Sequence, residues 1–189
     1  EWEGDNKSDV DDFGFIEALI NKLSSENLID LKRVYAVGYS NGGMMSYALA
    51  CYKSNLIAAI GSVSGYMLQS TSSVSESECT PSHSIPLIKL HGTTDYYDGE
   101  GVYNSVDSVL NFWVSFNNTN TDPIINNIDD NGTSITYYKY ENGDNNVSVE
   151  HYKIIGGEHV WFNNDFNGKN TGQLIWDFVS KYDIDGLIE

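Results

Sequence analysis

The sequence predicts an α/β fold in which helices flank a mostly parallel sheet. Two uninterrupted apolar runs, "LIAAIGSVSG" from Leu56 and "PLIKL" from Pro86, have the character of strands that are buried on both faces, as parallel strands are. Segments with helical spacing alternate with these runs, which is the pattern of parallel strands joined by crossover helices. A length of 189 residues suffices for one core, so we expect residues 1–189 to form a single domain.

The other elements each have a local signal. Ser8, followed by acidic residues, is typical of a helix N-cap with an acidic first turn, and the apolar residues from Val10 onward repeat at helical spacing. The Ser-rich segment 70–84 and an Asn-rich connection after residue 116 predict loops. Two alternating segments flank the turn signal "ENGDNN", which predicts an antiparallel hairpin near the C-terminal part. The predicted helices are 10–23, 42–52, 103–116 and 171–182, and the remaining strands are 34–37, 135–140 and 147–155.

The chain is strongly acidic, with 27 Asp and Glu residues against 10 Lys and Arg residues and a formal net charge of −17. Such a surface repels phosphate backbones, so nucleic acid is not an expected partner. The sequence has no apolar run as long as a membrane span and no recognisable signal peptide, so no membrane partner is expected. The acidity indicates a solvated surface and does not identify a reaction.

The two cysteines, Cys51 and Cys79, fit no metal-binding spacing and no CxxC motif. From the residues alone they are equally compatible with a disulfide, which would imply an oxidising compartment, and with two buried free thiols. Since the motifs contain neither a metal-ligand cluster nor a glycine-rich phosphate loop, no cofactor and no metal are expected.

The segment "VYAVGYSNGG" contains the pattern G-x-S-x-G around Ser40, after a predicted strand and before a predicted helix. One interpretation is an ordinary glycine-rich turn. The other is a tight strand-to-helix turn, in which small residues at Gly38 and Gly42 let the backbones approach and Ser40 projects as a nucleophile. In that second case the amide of Asn41, near a helix N-terminus, would donate to an oxyanion.

A serine hydroxyl needs a base to take its proton, and the chain offers four histidines. His83 lies in the Ser-rich loop and is expected at the surface. His91 ends the strand "PLIKLHG" and either borders the site or has a structural role, and His151 lies in the hairpin, where a cross-strand role is expected. His159 follows a strand in the glycine-containing loop "GGEHVW", so it is the best placed of the four to act as the base.

A carboxylate must orient that histidine and stabilise its charged form. Asp95 follows the buried strand that contains "LIKLHGTT", and Asp98 is the fallback candidate. Ser40, Asp95 and His159 thus each follow a predicted strand, in the order nucleophile, acid and histidine. Active sites of such sheets gather at the carboxyl ends of strands, and this chain order is the one found in α/β-hydrolases.

Four blocks of the sequence together resemble one group of proteins. "DVDDFGFIEALINKL", "RVYAVGYSNGGMMSYALAC", "IPLIKLHGTTD" and "IIGGEHVWF" look like successive blocks of the secreted polyhydroxybutyrate depolymerase and feruloyl esterase group of α/β-hydrolases. The resemblance runs from about Asp9 to the end of the chain. It implies an α/β-hydrolase fold with Ser40 as nucleophile, Asp95 as acid and His159 as base.

The same resemblance implies further features. Cys51 and Cys79 fall where members of this group can carry a disulfide, which favours a bridge and a secreted or periplasmic protein. Trp161, two residues after His159, resembles an aromatic residue found beside the histidine in this group. It would line a pocket for an acyl or aromatic group, with a core position as the equal alternative. Tyr39 and Tyr96, each next to a triad residue, are also expected to bind substrate.

The chain departs from the group at its beginning. Members carry strands ahead of the first helix, one of which ends in a His-Gly loop that supplies a second oxyanion amide. "EWEGDNKSDVDD" begins after that point, and His91 and Gly92 cannot replace the loop because they belong to the acid-bearing strand. We therefore expect an α/β-hydrolase domain that lacks its N-terminal strands and has an uncovered strand edge. Such a chain would be a fragment, a short form completed by another copy (a homo-oligomer), or a degenerate relative.

The function predicted from these residues is that of a serine carboxylic ester hydrolase working through an acyl-enzyme. Its substrates would be small-molecule or polymeric esters with short acyl, hydroxycinnamoyl or polyester chemistry. The alternative from another class is a catalytically impaired relative that serves as a polymer- or carbohydrate-binding module. A peptidase of the same fold is a third option, which no sequence feature favours.

Overall fold

A computed structural model describes residues 10–67, 79–101 and 103–188. Its centre is a six-stranded mixed sheet with the strand order β1-β2-β3-β6-β5-β4. The first four strands in that order run parallel to one another, and β5 and β4 continue the sheet in antiparallel fashion. The six strands are β1 Tyr35–Tyr39, β2 Ala59–Val63, β3 Leu87–Gly92, β4 Ile124–Asp130, β5 Thr133–Tyr140 and β6 Val149–Ile154.

Four helices flank this sheet. They are α1 Asp12–Ser25, α2 Asn41–Tyr52, α3 Val106–Phe116 and α4 Thr171–Val179. Alternate residues of the strands point to opposite faces, so the sheet carries two separate cores. On one face Leu87 and Val149 pack with Tyr47 of α2 and Trp113 of α3. On the other face the apolar side chains of β2, β3 and β6 pack with α4 and the segment before it. The predicted sheet with flanking helices is thus observed, and no described helix has the length and apolar character needed to cross a membrane.

The first helix begins later than its sequence signal. The predicted cap, Ser8, lies outside the described residues, and the observed N-cap is Asp11, whose carboxylate accepts a hydrogen bond from Gly14 N at 2.6 Å. The apolar side of this helix is only partly covered, because Ile20 is buried while Phe15 and Leu19 remain exposed. Part of the apolar surface of α1 therefore remains exposed to solvent.

Strand β1 forms one edge of the sheet, as expected from the sequence. Within the described ranges it pairs only with β2, in the register Val37 opposite Gly61. Val37 is 44% exposed and Tyr39 is 38% exposed, which is unusual for a strand of a parallel sheet. The carboxyl end of this edge strand leads directly into the candidate site.

The antiparallel part of the sheet confirms one prediction and corrects others. The predicted hairpin is observed as β5 and β6, which pair in antiparallel register from Ile135 opposite Ile154 to Tyr140 opposite Val149. The predicted Asn-rich loop, however, contains strand β4. The last predicted helix is also shorter, because Tyr182 belongs to a two-residue strand, β7 Tyr182–Asp183, which pairs with β8 Gly186–Leu187.

A disulfide joins Cys51, near the end of α2, to Cys79. Both residues are buried, with 4% and 5% exposure. The two thiols therefore do not remain free, which decides between the alternatives that their spacing left open.

Candidate active site

Ser40 stands at a sharp turn between β1 and α2. Its backbone has φ 52° and ψ −117°, outside the regions that non-glycine residues ordinarily occupy. Hydrogen bonds on both sides hold this conformation: Ser40 N donates to Val63 O at 2.9 Å, and Met44 N donates to Ser40 O at 3.0 Å. Backbone strain of this kind is found where a side chain must be presented for function.

The two glycines around Ser40 are not equivalent. A Cβ at Gly38 would lie 2.2 Å from the carbonyl carbon of Gly42, so no side chain fits there. A Cβ at Gly42 would meet no atom within 4 Å. The prediction that small residues are needed on both sides of Ser40 is therefore right for Gly38 and wrong for Gly42, whose backbone alone takes part in the close approach.

The structure brings Ser40, His159 and Asp95 into one hydrogen-bonded chain. Ser40 Oγ lies 2.8 Å from His159 Nε2, and His159 Nδ1 lies 2.8 Å from Asp95 Oδ2. The His159 side chain is 15% exposed, whereas the Asp95 side chain is fully buried. With the imidazole proton on Nδ1 donated to the carboxylate, Nε2 is free to accept the Ser40 hydroxyl proton.

Asp95 stays ionised although it is buried. Burial alone would raise the pKa of its carboxyl group, but hydrogen bonds from His91, His159 and Tyr97 N outweigh that effect and hold the pKa well below its usual range. The Tyr97 amide donates to Oδ1 at 3.2 Å. The carboxylate is thus a permanent negative charge next to the imidazole.

The loops that carry Asp95 and His159 are fastened to each other. A Cβ at Gly92 would lie 2.1 Å from Gly157 O, so this contact requires glycine at the end of β3. Thr94 N and Thr94 Oγ1 both donate to Gly157 O, at 2.9 and 2.8 Å. Because β3 and β6 are parallel neighbours, their carboxyl ends deliver both loops to the same place.

The other acid and histidine candidates lie elsewhere. Asp98 accepts a hydrogen bond from Val106 N at 2.8 Å at the start of α3, whereas the carboxylate that binds His159 is that of Asp95. His83 was expected at the surface but is half-buried, with its ring nitrogens 2.9 Å from Ser84 O and Ser54 O. His151 has the expected cross-strand role, since its ring stacks on Tyr138 of the neighbouring strand at 5.9 Å.

His91 contacts the site more directly than its position at a strand end suggested. Its Nε2 lies 3.1 Å from Asp95 Oδ2 and 2.7 Å from the hydroxyl oxygen of Tyr66. Both His91 and Tyr66 are buried. Tyr66 carried no sequence signal at all, while the position of His91 at the end of the strand that leads into the Asp95 loop could have indicated that the two lie near each other.

A small cavity of about 60 Å³ opens at the Ser40 hydroxyl. Asn41, the first residue of α2, contributes to its wall, and its N–H belongs to the helix N-terminus, where no intrahelical acceptor exists. Tyrosines supply most of the other side, and sequence reasoning did not find them. The cavity is lined by Ser40, Asn41, Met44, Ser64, Tyr66, Tyr97, Tyr103 and His159.

The three aromatic residues expected to bind substrate are all partly open to solvent. Tyr39 is 38% exposed, its ring lies 5.5 Å from that of His159, and its hydroxyl donates to His159 O at 2.9 Å. Tyr96 is 66% exposed and its ring lies 6.1 Å from His159. Trp161 is 39% exposed, which decides against a core position for it.

Comparisons with known proteins give a consistent result. Residues 5–119 match the family model described as phospholipase/carboxylesterase. A bifunctional acetylxylan esterase/xylanase of Neocallimastix patriciarum is 29% identical over 94% of this chain and 24% of that protein. Feruloyl esterase B of Piromyces equi is 28% identical over 94% of this chain and 32% of that protein. The chain thus spans about a quarter to a third of the length of these relatives.

The fold also has a counterpart among solved structures. An acetyl xylan esterase from Aspergillus awamori superposes with a TM-score of 0.56 and 13% sequence identity. The match covers 88% of this chain and 66% of that one. At this level of identity the likeness concerns the arrangement of strands and helices.

Proposed function

The chain belongs to the phospholipase/carboxylesterase family, an esterase group of α/β-hydrolases as the sequence predicted, and from this premise we propose that it hydrolyses carboxylic esters through a serine acyl-enzyme. The observation that carries the proposal is the chain of two 2.8 Å hydrogen bonds from Ser40 to His159 and from His159 to Asp95. It is supported by the strained backbone of Ser40, which presents the hydroxyl at the end of a strand.

In this mechanism His159 Nε2 removes the hydroxyl proton of Ser40 while Oγ attacks the ester carbonyl carbon. The negative charge that develops on the carbonyl oxygen is stabilised by Asn41 N–H at the positive end of α2. The protonated imidazole then gives its proton to the departing alcohol, and Asp95 stabilises the imidazolium during this step. A water molecule, activated by His159 in turn, releases the acid and restores Ser40.

The substrate class follows from the relatives and from the surface around Ser40. Among the relatives are an acetylxylan esterase/xylanase and a feruloyl esterase, so we propose esters with short acyl or hydroxycinnamoyl groups, with polyesters as a further class. The exposed rings of Tyr39, Tyr96 and Trp161 would hold an aromatic or polymeric part of the substrate. The 60 Å³ cavity would receive the acyl group next to the reacting carbonyl.

The disulfide between Cys51 and Cys79 supports a place of action outside the reducing cytosol. We therefore propose a secreted or periplasmic protein whose described residues form one α/β-hydrolase domain. A partner for the exposed edge of β1, such as a second copy of the chain, is part of this proposal.

The test compares the purified protein with its Ser40→Ala variant on p-nitrophenyl acetate, p-nitrophenyl butyrate and methyl ferulate. We expect the variant to lose at least about three orders of magnitude in kcat/KM. A fluorophosphonate should label the wild-type protein at Ser40 and leave the variant unlabelled. Ser115→Ala, an exposed serine on α3, is the matched control and should keep full activity. Equal rates for the wild type and Ser40→Ala would remove Ser40 from the mechanism, and polymer binding without turnover would favour the binding-module alternative.

A further inference from the structure

A second imidazole contacts the carboxylate of the triad. His91 Nε2 lies 3.1 Å from Asp95 Oδ2, the same oxygen atom that accepts the hydrogen bond from His159 Nδ1. The hydroxyl of Tyr66 lies 2.7 Å from His91 Nε2. The hydrogen-bond chain therefore runs beyond the triad, from Ser40 through His159 and Asp95 to His91 and Tyr66.

The proton on His91 can be placed from its surroundings. Burial lowers the pKa of His91 to about 3, so the ring is neutral at ordinary pH and carries a single N–H. Its Nδ1 has no hydrogen-bond partner among the described residues. Its Nε2 faces an ionised oxygen of Asp95, which can only accept, so hydrogen bonding assigns the proton to Nε2. His91 is therefore a neutral donor to the triad acid.

We propose that His91 and Tyr66 are positioning residues of the ester hydrolase, which fix the Asp95 carboxylate and set how strongly it attracts the His159 imidazole. This inference rests on the proposed function. In this role neither residue acts on the reacting atoms directly, because His91 contacts Asp95 and the Tyr66 hydroxyl contacts His91.

The physical reason lies in the freedom of a carboxylate. The terminal torsion of an aspartate is broad, so a single partner does not hold the oxygen atoms in place. In this site donors from separate elements converge on the group: His91 on β3, His159 after β6 and the Tyr97 amide, and Tyr66 after β2 holds the His91 ring. Convergent donors restrict the torsion, and each one takes a share of the negative charge that His159 would otherwise receive alone.

Tyr66 is itself held from several sides. Its ring lies 4.6 Å from the His91 ring in an edge-on arrangement and 5.6 Å from the ring of Tyr103. The ammonium group of Lys89 lies 5.5 Å from its centroid. A tyrosine that is 2% exposed and packed in this way can present its hydroxyl in only one direction, which is towards His91.

The titratable and charged groups around these hydrogen-bonded residues are the same in the wild type and in the variants that test the proposal. Their charges affect the absolute midpoint of a pH profile and cancel in the difference between wild type and variant. They are Lys89 on β3, His151 on β6, Asp98, Tyr96 and Tyr97 after β3, and Tyr39 on β1.

The test uses His91→Leu, His91→Gln and Tyr66→Phe with p-nitrophenyl acetate. We expect His91→Leu to lower kcat about tenfold or more with KM unchanged, because a bond to a charged group is lost while the substrate cavity is intact. Without the His91 donor, fewer hydrogen bonds share the negative charge of Asp95, which then attracts a protonated His159 more strongly. The acidic limb of the plot of kcat against pH should therefore move to higher pH by about half a unit. His91→Gln keeps an N–H donor and should restore part of both effects. Tyr66→Phe removes the hydroxyl that holds the His91 ring and should shift the limb in the same direction.

Tyr182→Phe is the matched control, because it removes a buried hydroxyl bonded to Ser148 at 2.9 Å on the other side of the sheet. It should lose comparable stability and leave the pH profile unchanged. An unchanged acidic limb in Tyr66→Phe and in the folded His91 variants would overturn the proposal. If the wild type proves inactive, the proposed function fails but the positioning role is still testable. The far-downfield NMR resonance of the His159 Nδ1 proton should then move in Tyr66→Phe and not in Tyr182→Phe, and an unmoved resonance would overturn the proposal.

Discussion

Replacing Lys89 by methionine is expected to stabilise the protein at pH 6. Lys89 lies in the middle of β3 and its side chain is completely buried. Its ammonium group donates to Gly65 O at 2.6 Å and lies 3.4 Å from the hydroxyl of Tyr47, but no described carboxylate is within ion-pair distance of it. A buried charge without a counter-ion is costly, and methionine fills nearly the same volume without a charge.

The size of the effect follows from the lysine pKa. Burial lowers the pKa of Lys89 from 10.5 to about 7, and the negative charges of Asp98 and Asp95 oppose only part of this change. The difference between 10.5 and about 7 corresponds to about 5 kcal/mol of unfolding free energy. The hydrogen bond to Gly65 O reduces what methionine can recover, so we expect a gain of about 2–5 kcal/mol.

The sign of the pH dependence is fixed by the direction of that change. Between pH 7 and pH 10.5 the unfolded chain binds the Lys89 proton and the folded chain does not, so the Lys89 contribution to stability rises with pH. The penalty is therefore complete below about pH 7 and absent above about pH 10.5. The advantage of Lys89→Met over the wild type should shrink across the same window.

Urea denaturation with the disulfide intact measures this difference at several pH values from 6 to 10. Lys22→Met, at a lysine whose side chain is 71% exposed, is the control and should change the unfolding free energy by less than about 0.5 kcal/mol at every pH. The reasoning would be refuted by an advantage of Lys89→Met that does not depend on pH. It would equally be refuted by a variant several kcal/mol less stable than wild type at pH 6, since that would mean that the surroundings stabilise the charge.

Three further predictions concern the site and the disulfide. Gly38→Ala should lower the unfolding free energy by about 3 kcal/mol or more by overpacking the turn, whereas Gly42→Ala should leave it unchanged or raise it by up to about 1 kcal/mol. Equal melting temperatures of the two variants would contradict the different surroundings of the two glycines. Asp95→Asn should lower kcat on p-nitrophenyl acetate about 10⁴-fold with the circular dichroism spectrum unchanged, and a loss below tenfold would speak against its role. The double variant Cys51→Ser/Cys79→Ser should lose about 3–4 kcal/mol in urea denaturation, because the bridge spans a sequence separation of 28, and undiminished stability would contradict this.

The meeting of Ser40, Asp95 and His159 could be predicted because the signal of each residue is local and their shared position follows from the topology of the sheet. Ser40 follows β1, Asp95 follows β3 and His159 follows β6, and these strands belong to the parallel part of the sheet. The carboxyl ends of parallel strands lie at the same edge of a sheet, so residues that follow such strands are placed at one edge, where their loops can bring them together. The prediction needed the number and kind of strands but not the exact register.

The remaining features required information that no local pattern contains. Strand β4 reads "IINNIDD" and is mostly exposed. Its isoleucines are β-branched, but Asn and Asp residues, which strands disfavour, interrupt them and leave no apolar alternation. The turn after it did carry a signal, because Asn131 and Gly132 both have positive φ, as the Asn-Gly pair of a tight hairpin requires. Tyr66 was not predictable, since its approach to His91 depends on how β2 lies against β3.

The contacts of the site also determine how a loss of ester hydrolysis in Ser40→Ala is to be interpreted. The loop that carries His159 is held independently of Ser40, because Tyr39 donates to His159 O at 2.9 Å and Ser64 donates to Val160 O at 3.1 Å. The hydrogen bond between His159 and Asp95 joins two loops, and the bonds from Thr94 to Gly157 O also hold these loops together. Ser40→Ala therefore removes one hydroxyl and leaves the acid and the base in place. A loss of ester hydrolysis in that variant would report the missing nucleophile and not a collapsed site.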